Sequence, residues 1–246
     1  MALEDIKEVS ALKVRVKFEK KGAMKFIGHL DIMRYFQKAL RRANIPVAFS
    51  GGFSPHMIMS FAAPLGVGVT SSGEYFDMEL TESMPSAEME QRLNETMAEG
   101  MRVISVREIP DNKANACMSL VAAADYSIEF REGKAPEGEW KEKIQEFYQQ
   151  KEITILRKTK RSEQETDIRP WIYQLEVRGD KVWMQLSQGS VQNLKPELVM
   201  EAFMKYLGQE LQPFALLIHR EEVYADKGTE DKRKLVSLED LGCVIK

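Results

Sequence analysis

Residues 12–18 read Leu-Lys-Val-Arg-Val-Lys-Phe, an apolar side chain at every second position with a cation between each pair. Period two predicts a strand with one buried face. Lys13, Arg15 and Lys17 then form a row of cations on its other face. The next segment changes period. Leu30, Met33, Phe36, Leu40 and Ala43 recur at helical spacing, with Arg34, Lys38, Arg41 and Arg42 on or near the opposite face. Asp31 falls in the first turn of that helix, where the backbone dipole favours an acid, and Pro46 closes the element. "MIMSFAAP" and "GEYFDMEL" read as strands, the second with Tyr75, Asp77 and Glu79 on one face. A helix follows over 86–97 with Ser86 as its N-cap and Gly100 past its end. "MRVISVREIP" returns to strand. The order β-α-β-β-α-β is the ferredoxin-like plan.

The second half repeats that order loosely, without repeating residue identities. A strand ends in "YSIEFREG". A helix carries Trp140, Ile144 and Phe147, and "EITILRKTK" is a further strand. A hairpin turns at Gly179-Asp180, and a helix over 196–207 precedes a last strand, "FALLIHREEVYA". The expected fold class is α+β: two tandem ferredoxin-like (β-α-β-β-α-β) halves with antiparallel sheets. The domains are residues 1–112, residues 113–226 and a charged C-terminal tail over 227–246, with the first boundary in the polar "PDNKANACMS".

Composition adds limits. The chain has 246 residues and a formal net charge of -3, which argues against a protein that coats nucleic acid over its whole surface. The charge is unevenly spread. Residues 1–61 hold eleven Lys and Arg against five Asp and Glu, whereas residues 62–150 hold eight against seventeen. The two cysteines, Cys117 and Cys243, imply neither a disulfide framework nor a metal knuckle, and no metal site is expected. No apolar run is long enough to span a membrane, so a cytoplasmic protein with no membrane partner is expected.

Four groups of residues are candidates for chemistry. The cations Lys17, Lys21, Arg34, Lys38, Arg41 and Arg42 lie near the aromatic residues Phe26 and Tyr35, which suits RNA phosphates; the same pattern also fits a solvated helix and sheet face. His29 and Asp31 sit where a helix N-terminus meets an anion, or where an acid simply serves the dipole. Asp167 and Arg169 follow a cationic stretch containing Lys151, Arg157, Lys158, Lys160 and Arg161. They read equally as a buried ion pair and as a phosphate fork with its orienting acid. Ser54 and His56 lie in "SGGFSPH", whose glycines allow close backbone approach to a ligand; a lone loop histidine also serves packing. Phosphate loops, dinucleotide fingerprints and hydrolase elbows are absent.

The motifs "FIGHLD", "RRANIP", "SGGFSPH", "PLGVG" and "EYFD", with "RKTK" and "TDIRPWI" in the second half, closely resemble the radical-SAM-linked protein family of bacteria. Members of that family stand alone, beside a radical SAM protein, or fused behind a radical SAM domain. The resemblance implies an accessory that works with a radical SAM enzyme and presents RNA, tRNA or rRNA, for modification. This chain lacks the three clustered cysteines of a [4Fe–4S] site, so the partner would carry the cluster and S-adenosylmethionine. Two other readings stand beside it. One is an enzyme that gathers His29, Asp31, His56 and Asp167 into an acid–base centre between the halves. The other is an adaptor that only docks the radical SAM protein.

Overall fold

The structure is a computed structural model and describes residues 12–158, 163–229 and 232–246. The cationic pair Lys160 and Arg161, and the side chains of Arg157 and Lys158, lie outside the described residues.

The first half runs β1 (Leu12–Lys20), α1 (His29–Arg42), β2 (Met59–Phe61), β3 (Thr70–Leu80), α2 (Ser86–Asn94) and β4 (Met101–Ile109). The short helix α3 (Cys117–Leu120) leads into β5 (Val121–Phe130) and α4 (Trp140–Tyr148). A separate hairpin of β6 (Thr154–Lys158) and β7 (Glu163–Asp167) comes next. The second half then completes with β8 (Ile172–Arg178), β9 (Lys181–Ser187), α5 (Pro196–Tyr206) and β10 (Leu216–Asp226). The tail adds β11 (Leu235–Ser237).

Each half has the ferredoxin-like strand order, fourth-first-third-second. In the first half that order is β4-β1-β3-β2, and in the second it is β10-β5-β9-β8. The halves do not keep separate sheets. β3 and β10 pair in parallel at Thr70 with His219 and at Ser71 with Arg220, and one nine-stranded sheet results. The other ladders are antiparallel. The stretch 154–158, read as one more strand of the second half, pairs with β7 outside that sheet.

The helices share one face of the sheet. Val14, Val16 and Phe18 of β1 pack with Phe76 of β3, Phe36 and Leu40 of α1, and Met89 and Leu93 of α2. Tyr126, Ile128 and Met184 pack with Ile144 and Phe147 of α4 and Val199 and Phe203 of α5. Alternation along the strands drives this division, because it gives each strand one apolar face to bury. Arg220 and Glu74 cross the junction on the helix side. The guanidinium donates to both carboxylate oxygens, 2.8 and 2.5 Å, and to the Ala63 carbonyl. Glycine is required at this seam. A Cβ on Gly73 would stand 2.7 Å from the Glu221 carbonyl oxygen and 2.8 Å from the Glu222 Cα.

The opposite face of the first half is covered as well. The turn before α3 and residues 238–243 lie over β1, β3 and β4. Arg15 donates to the carbonyls of Asn115 and Leu238, and Cys243 exchanges two backbone hydrogen bonds with Glu108. The tail runs against α2, where the Ser86 amide donates to the Ile245 carbonyl and the Ile245 amide donates to the Ser86 hydroxyl. The expected row of open cations on β1 is therefore corrected. Arg15 is 1% exposed and joined to Asp77, while Lys13 is held between Glu79 and Asp111.

Candidate nucleic-acid interface

α1 is amphipathic, and its buried stripe is Ile32, Phe36, Ala39 and Leu40. That stripe turns Arg34, Lys38 and Arg41 outward, spaced four and three residues apart so that they line up along one side. Arg42 is also exposed and donates to the Thr96 carbonyl, 3.2 Å. Arg34 meets Asp31 at 3.4 Å with both side chains in solvent, a geometry that adds at most about 1 kcal/mol. Among the described residues Lys38 and Arg41 have no ion-pair partner. Two apolar side chains stand at the head of the stripe. Leu30, expected to be buried, is 66% exposed because it lies one turn before Arg34 on the same side. Phe26 is equally open, with the Lys25 ammonium 5.2 Å from its ring centre.

Lys17 does not join this surface. It points to the other side of the sheet, where its ammonium donates to Glu222 at 2.7 Å and Glu239 at 2.9 Å beneath the tail. Burial works to lower its pKa, and those two carboxylates outweigh burial and raise it. Lys17 thus has its charge matched internally, away from the exposed face of α1. Lys21 stays at the surface, paired with Glu19.

The remaining expected site residues are each engaged by local partners. His29 opens α1 and sets its ring edge-on to Phe61, 5.4 Å between centres, in a narrow cleft with Phe18, Ile32 and Glu74. His56 is bound to Ser50: the Ser50 hydroxyl lies 2.8 Å from Nδ1 and accepts from the His56 amide at 3.1 Å. Ser54 is exposed nearby at the tip of the same loop. Asp167 accepts from the backbone amides of Ile153 and Arg169, both at 2.9 Å. Arg169 donates to the carbonyls of Tyr148 and Ile172 and stacks 4.0 Å from the Tyr148 ring centre. Among the described residues Asp167 and Arg169 form no mutual ion pair, and both are engaged by local backbone groups. They tie the β6–β7 hairpin to α4 and β8.

His29 and Asp31 share the first turn of α1, and among the described residues no hydrogen bond or ion pair joins any two of His29, Asp31, His56 and Asp167. The roomier clefts gather other groups. One of about 380 Å³ at the junction holds Lys25, Thr70, Ser127, Lys181 and His219. Another of about 370 Å³ holds Lys13, Met59, Glu79, Ile109 and Lys113. His219, which did not stand out in the sequence, lines the junction cleft. Its Nδ1 lies 2.8 Å from the Thr70 hydroxyl and its Nε2 3.0 Å from that of Ser72, and burial pushes its pKa down. Among the described residues no group of three His, Cys, Asp or Glu could hold a metal ion, and no helix is long and apolar enough to cross a membrane.

The family model described as "Uncharacterized protein conserved in bacteria (DUF2344)" matches residues 13–196. The chain belongs to this family. The match spans α1, the "SGGFSPH" loop and the β3 strand, and it ends at the first residue of α5. A search of curated proteins finds no match. Among solved structures, a Cbf5-Nop10-Gar1 complex gives a TM-score of 0.44 at 12% identity, over 85% of this chain and 48% of that one. An archaeal box H/ACA sRNP Nop10-Cbf5 complex gives 0.39 at 12% identity, over 84% and 46%. An unknown protein from Galdieria sulphuraria gives 0.24 at 13% identity, over 87% and 99%. The chain spans about half the length of the first two. Scores this low bear on neither mechanism nor partner.

Proposed function

We propose that this family member is an RNA-binding accessory protein that presents tRNA or rRNA to a radical SAM enzyme for modification. The observation that carries the RNA reading is the distribution of free charge. Much of the basic excess of residues 1–61 falls in two groups. Lys13, Arg15 and Lys17 of β1 are matched by Asp77, Glu79, Asp111, Glu222 and Glu239. The α1 cations Arg34, Lys38, Arg41 and Arg42 are turned to solvent, beside the open Phe26 and Leu30. A solvent-facing row of this kind binds a phosphate backbone by releasing counterions. The radical SAM half of the proposal rests on the resemblance in "FIGHLD", "RRANIP" and "SGGFSPH". This chain has two cysteines, one buried and one exposed, too few to hold a [4Fe–4S] cluster, so the cluster and S-adenosylmethionine would be the partner's.

The test is binding of structured RNA by the full chain over a salt series. Four phosphate contacts give a slope of log affinity against log salt of about -3. Absence of affinity, or affinity without salt dependence, would remove the RNA reading. The adaptor reading makes a separate forecast: reversing the α1 charges would leave RNA association intact and abolish co-purification of the radical SAM protein.

A further inference from the structure

The loop after α1 is a built hairpin, and its tip holds the most exposed aromatic side chain of the described residues. Ala48 donates to the Glu79 carbonyl at 2.7 Å, Ile58 to Ala48 at 2.9 Å, and Glu79 to Ile58 at 3.2 Å, so the base of the hairpin is part of the β3 edge. Phe49 bridges Met57 in antiparallel fashion, and Ser50 donates its amide to the His56 carbonyl at 2.9 Å. The Ser50–His56 side-chain contact closes the neck. Beyond it, Gly52 turns the chain with φ +97, a left-handed conformation that suits glycine, and the ring of Phe53 stands fully in solvent at 110% relative exposure. The hairpin rises next to the C-terminal turn of α1. Ile45 donates to the Leu40 carbonyl, and Val47 bridges Leu80. Arg41 and Arg42 close the helix at that end.

We infer that Phe53 is a base-stacking residue and that the bound RNA is single-stranded where it meets the hairpin. The inference rests on the RNA reading and specifies its substrate class. A hydrogen-bonded neck presents one aromatic side chain to solvent, and the exposed cations of α1, the helix that leads into the hairpin, attract a phosphate backbone. Bases inside an A-form duplex are already stacked and their grooves do not admit such a ring; an unpaired base offers its π-face. The chain neighbours of Phe53 are Gly51, Gly52, Ser54 and Pro55 at the tip, with Ser50 and His56 at the neck and one further exposed aromatic side chain, Phe49, at its base.

The experiment compares a fluorescent single-stranded oligoribonucleotide with the blunt duplex containing the same strand. Each is titrated with the full wild-type chain, Phe53→Ala, Phe53→Trp and the triple variant Arg34→Glu/Lys38→Glu/Arg41→Glu. Phe53→Ala is expected to weaken single-strand binding by roughly tenfold or more and to leave duplex binding unchanged. Phe53→Trp is expected to retain single-strand affinity, and to quench a 2-aminopurine reporter that Phe53→Ala leaves bright. If Phe53→Ala binds the single strand as wild type does while the triple variant loses it, the stacking inference fails and the RNA reading stands. If Phe53→Ala weakens both forms equally, the single-strand specificity fails. If the wild-type chain binds neither form, both fail.

Discussion

Arg15 of β1 and Asp77 of β3 face each other in register and close a two-bonded ion pair, 2.8 and 3.0 Å, with almost no access to solvent. The pair is also a joint. The Asp77 carboxylate accepts the Cys117 amide at 2.7 Å, and the Arg15 guanidinium donates to Asn115 and Leu238. The linker, the tail and the first-half sheet are therefore fastened at one point.

Removing one member leaves the other charge buried and unmatched. Arg15→Ala is expected to cost about 3–5 kcal/mol of folding stability, read as a lower urea midpoint. Replacing both residues with apolar ones of similar volume, Arg15→Met with Asp77→Leu, is expected to cost less than Arg15→Ala alone. Equal stability of Arg15→Ala and wild type would show that the joint does not hold the fold.

The seam between the halves depends on Gly73. Gly73→Ala places a methyl group within 3 Å of β10 backbone, and overpacking of this kind costs about 1–3 kcal/mol. The expected readout is a lowered thermal midpoint, with faster amide exchange at Ser71 and Arg220 on either side of the parallel pairing.

His219 gives the fold a pH dependence of known sign. Burial lowers its pKa, so the folded state disfavours the charged ring. The unfolded chain then binds the proton more readily. The contribution of His219 is fully present above its ordinary pKa of about 6.5 and declines as pH falls below that value toward the lowered one. Urea unfolding at pH 7.5 and 5.5 is expected to show a larger loss of stability in wild type than in His219→Gln, which keeps a polar side chain between Thr70 and Ser72. Equal losses would contradict this assignment.

Much of the fold was legible because alternation and helical period specify each element. Residues 12–18, 74–80 and 101–109 had to be strands with one apolar face, and both halves adopt the fourth-first-third-second order. The fusion of the two sheets was not legible. It depends on a two-residue parallel contact between Thr70–Ser71 and His219–Arg220, which leaves no periodic trace. The fate of the β1 cations was legible and was missed. Lys13, Arg15 and Lys17 alternate in step with Glu79, Asp77 and Tyr75, and antiparallel pairing sets the first two opposite an acid. That complementarity marks an internal face. Arg34, Lys38 and Arg41 have no such strand partner and remain at the surface. His29, His56, Asp167 and Arg169 stood out by residue type, but their roles are set by Phe61, Ser50, the Ile153 and Arg169 amides and the Tyr148 ring, contacts that sequence spacing does not reveal.

The central claim is that the free cations of α1 bind RNA. The measurement that tests it most directly is the salt dependence of single-stranded RNA affinity for the full wild-type chain and for Arg34→Glu/Lys38→Glu/Arg41→Glu. The account predicts a clear wild-type slope that becomes shallower by about 2 in the variant, with weaker binding at every salt concentration. Wild-type and variant chains with the same affinity and the same slope would contradict it.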